Sequence, residues 1–422
     1  MMRPVIVALV ALFLAAVPAR ASTAPCIPGD GSSPTCQWWN AKVTLVADGD
    51  TIDVKIPGDG AASVRFIGIN AMELSKYSHT ASARRGDCMG VPAANFAERL
   101  IKASGWKVRL AAQSASSRSG RRIRRSVFVK SGGRWIDLAK AELAAGYDLF
   151  LPNGDEYAHN LEYERIAQQA QAAGKNLWDP KACGGPDQGA PLSVVANWDA
   201  DGSDEQNLNG EYIEIRNAGS SPVDIGGWWA RDSWLNWFGG KQHGTPGFRF
   251  APGTTVPARG LVRLHVGCGG DDATDLHWCQ KSSAFENVAY DKTNIGDGAY
   301  LFDPKGGLRA GFQYPCRVSC ADPAQGNVKV VPVPATDLIA VVNTSLQPLD
   351  ISDQVLKLRN HGAAGEYVYG HVFNPGSILS ALGFINFVSQ VGSGLSNNGG
   401  VVELRTLDDQ LTACADWGFG HC

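Results

Sequence analysis

From residue 193 to the end of the chain, almost no stretch spaces its apolar residues as a helix would. Short apolar runs recur instead at 212–216, 227–231, 248–250, 261–266, 299–302 and 308–313, set off by Gly, Pro, Asn or Asp. Short runs divided by turn residues are best satisfied by sheet packing on sheet. The back half is therefore expected to be β-sandwich. It also echoes itself. Residues 211–217 followed by Pro222-Val-Asp-Ile225 return as 337–343 followed by Pro348-Leu-Asp-Ile351. The run 298–303 returns as 400–405, and in both copies the next strand leads to a cysteine, Cys316 or Cys414. Two related sandwiches in tandem are the simplest account.

The front has another texture. Segments 42–46, 52–56, 63–69, 106–111 and 123–129 read as strands, and 93–104, 136–145 and 156–173 as helices. Five strands interleaved with three helices fit a small barrel with helices packed on it, the OB-fold. The chain is thus expected to be multidomain and mainly β, as its 422 residues already imply. The expected layout is a signal peptide over 1–21, a Pro/Ser/Gly/Cys-rich leader over 22–40 and the barrel over 41–183. A linker follows over 184–192, then sandwiches over 193–320 and 335–422. Net charge is −3, but it is unevenly spread. Residues 42–180 hold 20 basic against 15 acidic side chains, and the rest from 181 onward 16 against 25. Halves of opposite charge point to separate tasks, and the front domain is expected to fold on its own core.

Arg3, the apolar run 5–17 and Ala19-Arg20-Ala21 have the form of a cleaved signal peptide, which implies a secreted protein, extracellular or periplasmic. Beyond it, no segment reaches the roughly 18 apolar residues a transmembrane helix needs. Ten cysteines, an even number in an oxidising compartment, suggest five disulfides. Sequence leaves the connectivity open. Near neighbours suggest Cys26–Cys36, Cys268–Cys279, Cys316–Cys320 and Cys414–Cys422, leaving Cys88–Cys183. A zinc site of His265, Cys268, His277 and Cys279 is the competing reading, although its spacing matches no common finger.

Four motifs in the front half carry chemistry. They are Asp48-Gly-Asp-Thr51, Arg65-Phe-Ile-Gly-Ile-Asn-Ala-Met-Glu73, Ser119-Gly-Arg121 and Gly174-Lys-Asn-Leu-Trp178. In this order they resemble the staphylococcal nuclease-like family over about 140 residues, the last one loosely. The resemblance implies an OB-fold and Ca²⁺-dependent hydrolysis of DNA and RNA. It places Asp50 and residue 70 as metal ligands, with Asp48 adding negative potential, and Arg65, Glu73 and Arg121 as catalytic residues. The residue types suit that chemistry. Carboxylate oxygens ligate hard cations. Arginine forks contact a phosphate gaining charge. A glutamate can orient or deprotonate the attacking water. The basic run with Arg118, Arg122, Arg124 and Arg125 adds attraction for a phosphate backbone, and Tyr77 is a candidate stacking residue. Two departures stand out. The family's ligating aspartate is Asn70 here, and its proline is Met72, while 74–92 resembles an insertion carrying Arg84, Arg85 and Cys88.

Residues 193–316 resemble a lamin-tail domain, an immunoglobulin-like sandwich, through 208–217, 223–228, 250–255 and 298–303. That resemblance implies binding or scaffolding, with a protein or cell-envelope ligand. The acidic loop 199–205 lacks a full calcium-loop pattern and reads as solvated. Residues 335–422 read as a second, diverged copy. The competing overall reading is a nucleic-acid-binding or surface scaffold protein that has lost its metal site. Asn70 favours it; the presence of Asp50, Arg65, Glu73 and Arg121 opposes it.

Overall fold

The computed structural model describes residues 21–183, 190–200, 204–238, 241–285, 288–290, 293–318, 320, 322, 324–360, 369–374, 377–388, 394–407 and 409–422. The expected export segment up to residue 20 and most of the expected linker fall outside the described residues.

The front domain closes on itself. Strands β1 (Thr35–Val46), β2 (Thr51–Ile56), β3 (Gly60–Phe66), β4 (Lys107–Ala112) and β5 (Arg122–Ser131) pair in the ring β1-β2-β3-β5-β4-β1. All pairs are antiparallel except β3 with β5. This is the expected OB-like barrel, and closure leaves no unpaired edge in the ring. Ile52, Val54, Val64, Leu110 and Val127 fill it, each at most 1% exposed. Helices α1 (Gly90–Ala103), α2 (Leu138–Ala145) and α3 (Asn160–Ala172) surround it, with Ala97 and Ile101 of α1 and Tyr163 of α3 in the same core.

Element boundaries differ from the sequence reading for local reasons. The helix expected from 136 starts at Leu138, because Asp137 caps it by accepting the Lys140 N–H at 3.2 Å. The helix expected from 156 starts at Asn160. The Glu156 carboxylate instead accepts the N–H groups of Gln113 and Ser114 at 2.6 and 3.0 Å. The leader is no tail: Ser22–Pro25 pairs with the start of β1, and Cys26–Cys36 ties the two together.

The first sandwich has β6 (Leu192–Asn197), β7 (Tyr212–Asn217) and β9 (Leu261–His265) in one sheet. The other sheet holds β8 (Trp229–Arg231), β10 (Gly298–Phe302) and β11 (Leu308–Gln313). Ile213, Ile215, Val262 and Leu264 pack against Trp228, Ala230, Phe250 and Leu301 between them. The second sandwich pairs β12 (Val328–Val333), β13 (Leu338–Asn343) and β15 (Phe384–Val388) in one sheet. Its other sheet holds β14 (Val355–Asn360), β16 (Gly399–Arg405) and β17 (Leu411–Gly418). Its core is its own, with Ile339, Val341, Leu356, Leu358, Val402 and Leu404.

The five disulfides are Cys26–Cys36, Cys88–Cys183, Cys268–Cys279, Cys316–Cys320 and Cys414–Cys422. They fit an oxidising, extracellular or secreted setting. Cys268 and Cys279 bond to each other, so neither thiolate is left for zinc. Among the described residues no helix is long and apolar enough to cross a membrane.

The expected independence of the front domain meets one complication. Met72, Leu149 and Leu177 of the barrel side form a common core with Tyr300, Phe302 and Leu308 of the first sandwich. Polar bonds line the same seam. Gln168 Nε2 donates to the Pro315 carbonyl at 2.8 Å, and Arg317 Nε donates to Glu164 at 2.6 Å.

Candidate nucleic-acid cleft

The turn between β1 and β2 sets the site. Ala47 and Asp48 N–H groups both reach the Thr51 carbonyl, at 2.9 and 3.3 Å, and the Asp50 N–H bonds Asp48 Oδ1 at 3.1 Å. Only glycine fits at 49, because a Cβ there would lie 2.8 Å from the Cβ atoms of Ala71 and Ala93. Asp50 is thereby driven inward. Its Oδ2 accepts the Ala71 N–H at 2.7 Å, and its Oδ1 accepts Thr51 Oγ1 at 2.8 Å and pairs with Arg65 Nη1. Arg65 Nη2 donates to Asn70 Oδ1 at 2.6 Å. Asp50, Arg65 and Asn70 form one buried, bonded unit.

A cavity of about 510 Å³ opens beside it, lined by Arg65, Arg118, Arg121, Arg122, Arg124 and Trp234 among others. Register explains the gathering. The parallel pairing of β3 and β5 sets Arg124 beside Arg65, and the turn before β5 carries Arg118 and Arg121 to the rim. Arg122 Nη1 donates to Thr51 Oγ1 at 3.2 Å, which joins the basic run to the aspartate turn. Arg118 and Arg121 are exposed, and Arg122 and Arg124 are half-buried.

Arg125 departs from expectation. It is buried, donates to the Ala115 and Arg124 carbonyls at 2.8 and 2.7 Å, and lies 4.5 Å over the Trp39 ring. Alternation along β5 turns it away from the cleft, so it braces the barrel instead of meeting a phosphate. Glu73 also stands apart. It opens onto a neighbouring cavity of about 520 Å³, with Asp87 and with Trp229 and Arg249 of the sandwich. Tyr77 is half-exposed, and partial burial with the charges of Asp48, Glu73 and Asp50 pushes its phenol up to about 12.

The sequence reading missed two buried acids. Asp148 and Glu142 are fully buried, and their carboxylate oxygens have no hydrogen-bond partner. Asp148 sits opposite Ala71, where Asp148–Phe150 pairs with Ile69–Ala71. Burial raises both carboxyls well above the usual range, and the Asp50 charge adds to it. Burial does the same to Asp48, followed by the charges of Asp50 and Glu73. A lone Asp within the apolar run 143–151 was the available signal.

Burial favours the uncharged forms of Asp48, Asp148 and Glu142, and a hard cation such as Ca²⁺, which takes oxygen ligands, would draw those nearest it back toward the carboxylate. Among the described residues no three His, Cys, Asp or Glu side chains gather as a cage. Asp48 and Asp50 would hold the ion, with water or substrate oxygens completing its shell. Asn70 has its amide engaged at both ends. Besides accepting from Arg65, it donates Nδ2 to the Ser233 carbonyl at 2.6 Å, a residue of the sandwich.

That bond makes the identity of the sandwich matter. Residues 193–316 match the Lamin Tail Domain family. The match spans the first sandwich, so the lamin-tail domain is what carries Ser233 and Trp234 to the cleft. A search of curated proteins finds no match to the chain.

Proposed function

We propose that the protein is an exported nuclease that hydrolyses phosphodiester bonds of DNA or RNA with Ca²⁺, its barrel supplying the site and its sandwiches serving binding or scaffolding. The second sandwich is a diverged copy of the first. The observation that carries the reading is the arginine cavity opening beside the buried Asp50–Arg65 unit. Arg65 is held by Asp50 and Asn70, so its charge is fixed at the cavity before any phosphate arrives. Arg121 lies at the rim of the same cavity and completes a two-armed grip on a phosphate gaining charge. Arg118, Arg122 and Arg124 hold the flanking backbone without regard to sequence. When bound at Asp48 and Asp50, Ca²⁺ neutralises phosphate charge and lowers the pKa of water. Glu73 is the candidate acceptor of the water's proton.

The position of Glu73 favours a second reading, a nucleic-acid-binding protein with little or no turnover. It opens onto a different cavity from the arginines. Digestion of plasmid DNA and RNA with Ca²⁺ or a chelator, with end-group analysis, separates the two. The nuclease reading expects cleavage that stops with chelator, leaves 3′-phosphates and falls about a hundredfold in Arg121→Lys. Binding without cleavage under all conditions selects the second reading.

A further inference from the structure

Trp234 stands apart among the exposed aromatic side chains. It is 47% exposed, yet it lines the cavity that holds Arg65, Arg121 and Arg122. It comes from the lamin-tail domain, not from the barrel.

Its backbone is held from four directions. The Trp234 N–H donates to Asp232 Oδ1 at 2.8 Å, and its carbonyl accepts the Thr245 N–H at 2.9 Å. The preceding carbonyl, of fully buried Ser233, accepts Arg231 Nη2 at 3.0 Å and Asn70 Nδ2 at 2.6 Å. Gly244 pairs with Leu235 at the base of the hairpin, where a Cβ would clash with the Trp234 carbonyl oxygen. The ring is therefore presented on a fixed base, which lowers the entropy lost when a ligand packs against it. Asn70 has a clear part in this. Its amide accepts from the barrel's Arg65 and donates to the sandwich; an aspartate could accept but not donate to a carbonyl.

We propose that Trp234 is a substrate-binding residue of the barrel's site, stacking on a base of single-stranded or locally unpaired nucleic acid beside the phosphate gripped by Arg65 and Arg121. The proposal rests on the nucleic-acid reading of the barrel. Arginines and an aromatic ring lining one cavity match the alternation of phosphate and base along a strand. Stacking tolerates any base, because every base has a π-face, but it needs that face uncovered. A paired base inside a duplex keeps both faces stacked, so the ring favours single strands.

The test uses the full-length protein with chelator, so that cleavage does not compete with binding. Anisotropy of a labelled single-stranded thymidine oligonucleotide and of a labelled duplex is measured for wild type, Trp234→Ala, Trp234→Phe and Arg121→Ala. Trp234→Ala is expected to weaken single-strand binding about tenfold and Trp234→Phe to recover most of it. Duplex binding should change less than about twofold in either. Removing the bases from the oligonucleotide should erase the difference between wild type and Trp234→Ala. Equal single-strand binding by wild type and Trp234→Ala, or an equal loss on duplex, overturns the role of Trp234. If Arg121→Ala weakens binding while Trp234→Ala does not, the barrel's nucleic-acid reading survives and Trp234 alone falls. If wild type binds neither probe, both fall together.

Discussion

Asn217 in the first sandwich and Asn343 in the second hold the same turn with the same atoms. Asn217 Nδ2 donates to the Ser221, Val256 and Pro257 carbonyls at 2.8, 3.2 and 3.0 Å, and Oδ1 accepts the Gly219 N–H. Asn343 Nδ2 donates to the Gln347, Leu379 and Ser380 carbonyls at 2.7, 3.3 and 3.0 Å, and Oδ1 accepts the Ser345 N–H. Beyond this shared frame the two part company. The first sandwich shares a core with the barrel and lends Ser233 and Trp234 to its cleft. The second keeps its own core and meets the first through pairs such as Lys357–Asp199 at 2.6 Å and Arg216–Asp353. The frame sets the fold, then, while partner and role depend on which loops and faces each copy leaves outward.

The largest test of that contrast is truncation. A chain ending after Cys183 uncovers Met72, Leu149 and Leu177, whereas one ending after Asp322 leaves the shared core intact. Burial of several large side chains is worth on the order of 5 kcal/mol. The shorter chain should melt far below the longer one in calorimetry, and the longer one close to full length. Equal melting would show that the seam adds nothing to the barrel.

Asn70→Asp probes the tether across the seam. It loses the donor to the Ser233 carbonyl and adds a carboxylate near Asp50. A loss of about 1–3 kcal/mol is expected in chelator, measured by thermal unfolding. Ca²⁺ should recover part of it if the new carboxylate ligates the ion. No loss in chelator would sink the tether.

Asn217→Ala and Asn343→Ala should each cost about 2 kcal/mol, since matching bonds are removed. A large effect in one copy and none in the other would break the equivalence of the two frames.

The smallest effect concerns pH. Glu211 and Asp337 begin the two echoing segments, but Glu211 is fully buried and Asp337 is exposed. Burial pushes the Glu211 carboxyl up to about 8. A raised carboxyl favours the protonated folded state, so its contribution is present at low pH and fades as pH rises from its ordinary value of 4.5 through about 8. Glu211→Gln should therefore gain roughly 1 kcal/mol over wild type near pH 8 and little near pH 5. A pH profile for Glu211→Gln parallel to that of wild type would remove Glu211 as its source.

Much of the frame was legible because it depends on local pattern. Turn residues between short apolar runs marked the sandwich strands, and the echo at Asn217 and Asn343 marked their repetition. The near-neighbour cysteines pair as their spacing suggested. The order of motifs around Asp50, Arg65 and Arg121 marked a candidate phosphate site, and the fold brings Arg65 and Arg121 to one cavity. Local pattern could not say that Arg125 turns inward, since that depends on the register of β5. Nor could it show that Asp148 and Glu142 go unpartnered beneath the aspartate turn.

By itself, then, the sequence determined a mainly β chain, its barrel, its repeated sandwich and its candidate arginines, because strand period and turn chemistry act over a few residues. Tertiary structure alone decided that the lamin-tail domain shares a core with the barrel and that Asn70 bonds the Ser233 carbonyl. It also decided that Glu73 and the arginines open onto different cavities. Asn70 and Ser233 are 163 residues apart, and no local preference reports on a contact at that separation. It forms because burying Tyr300 and Phe302 against Met72 and Leu149 fixes one domain on the other.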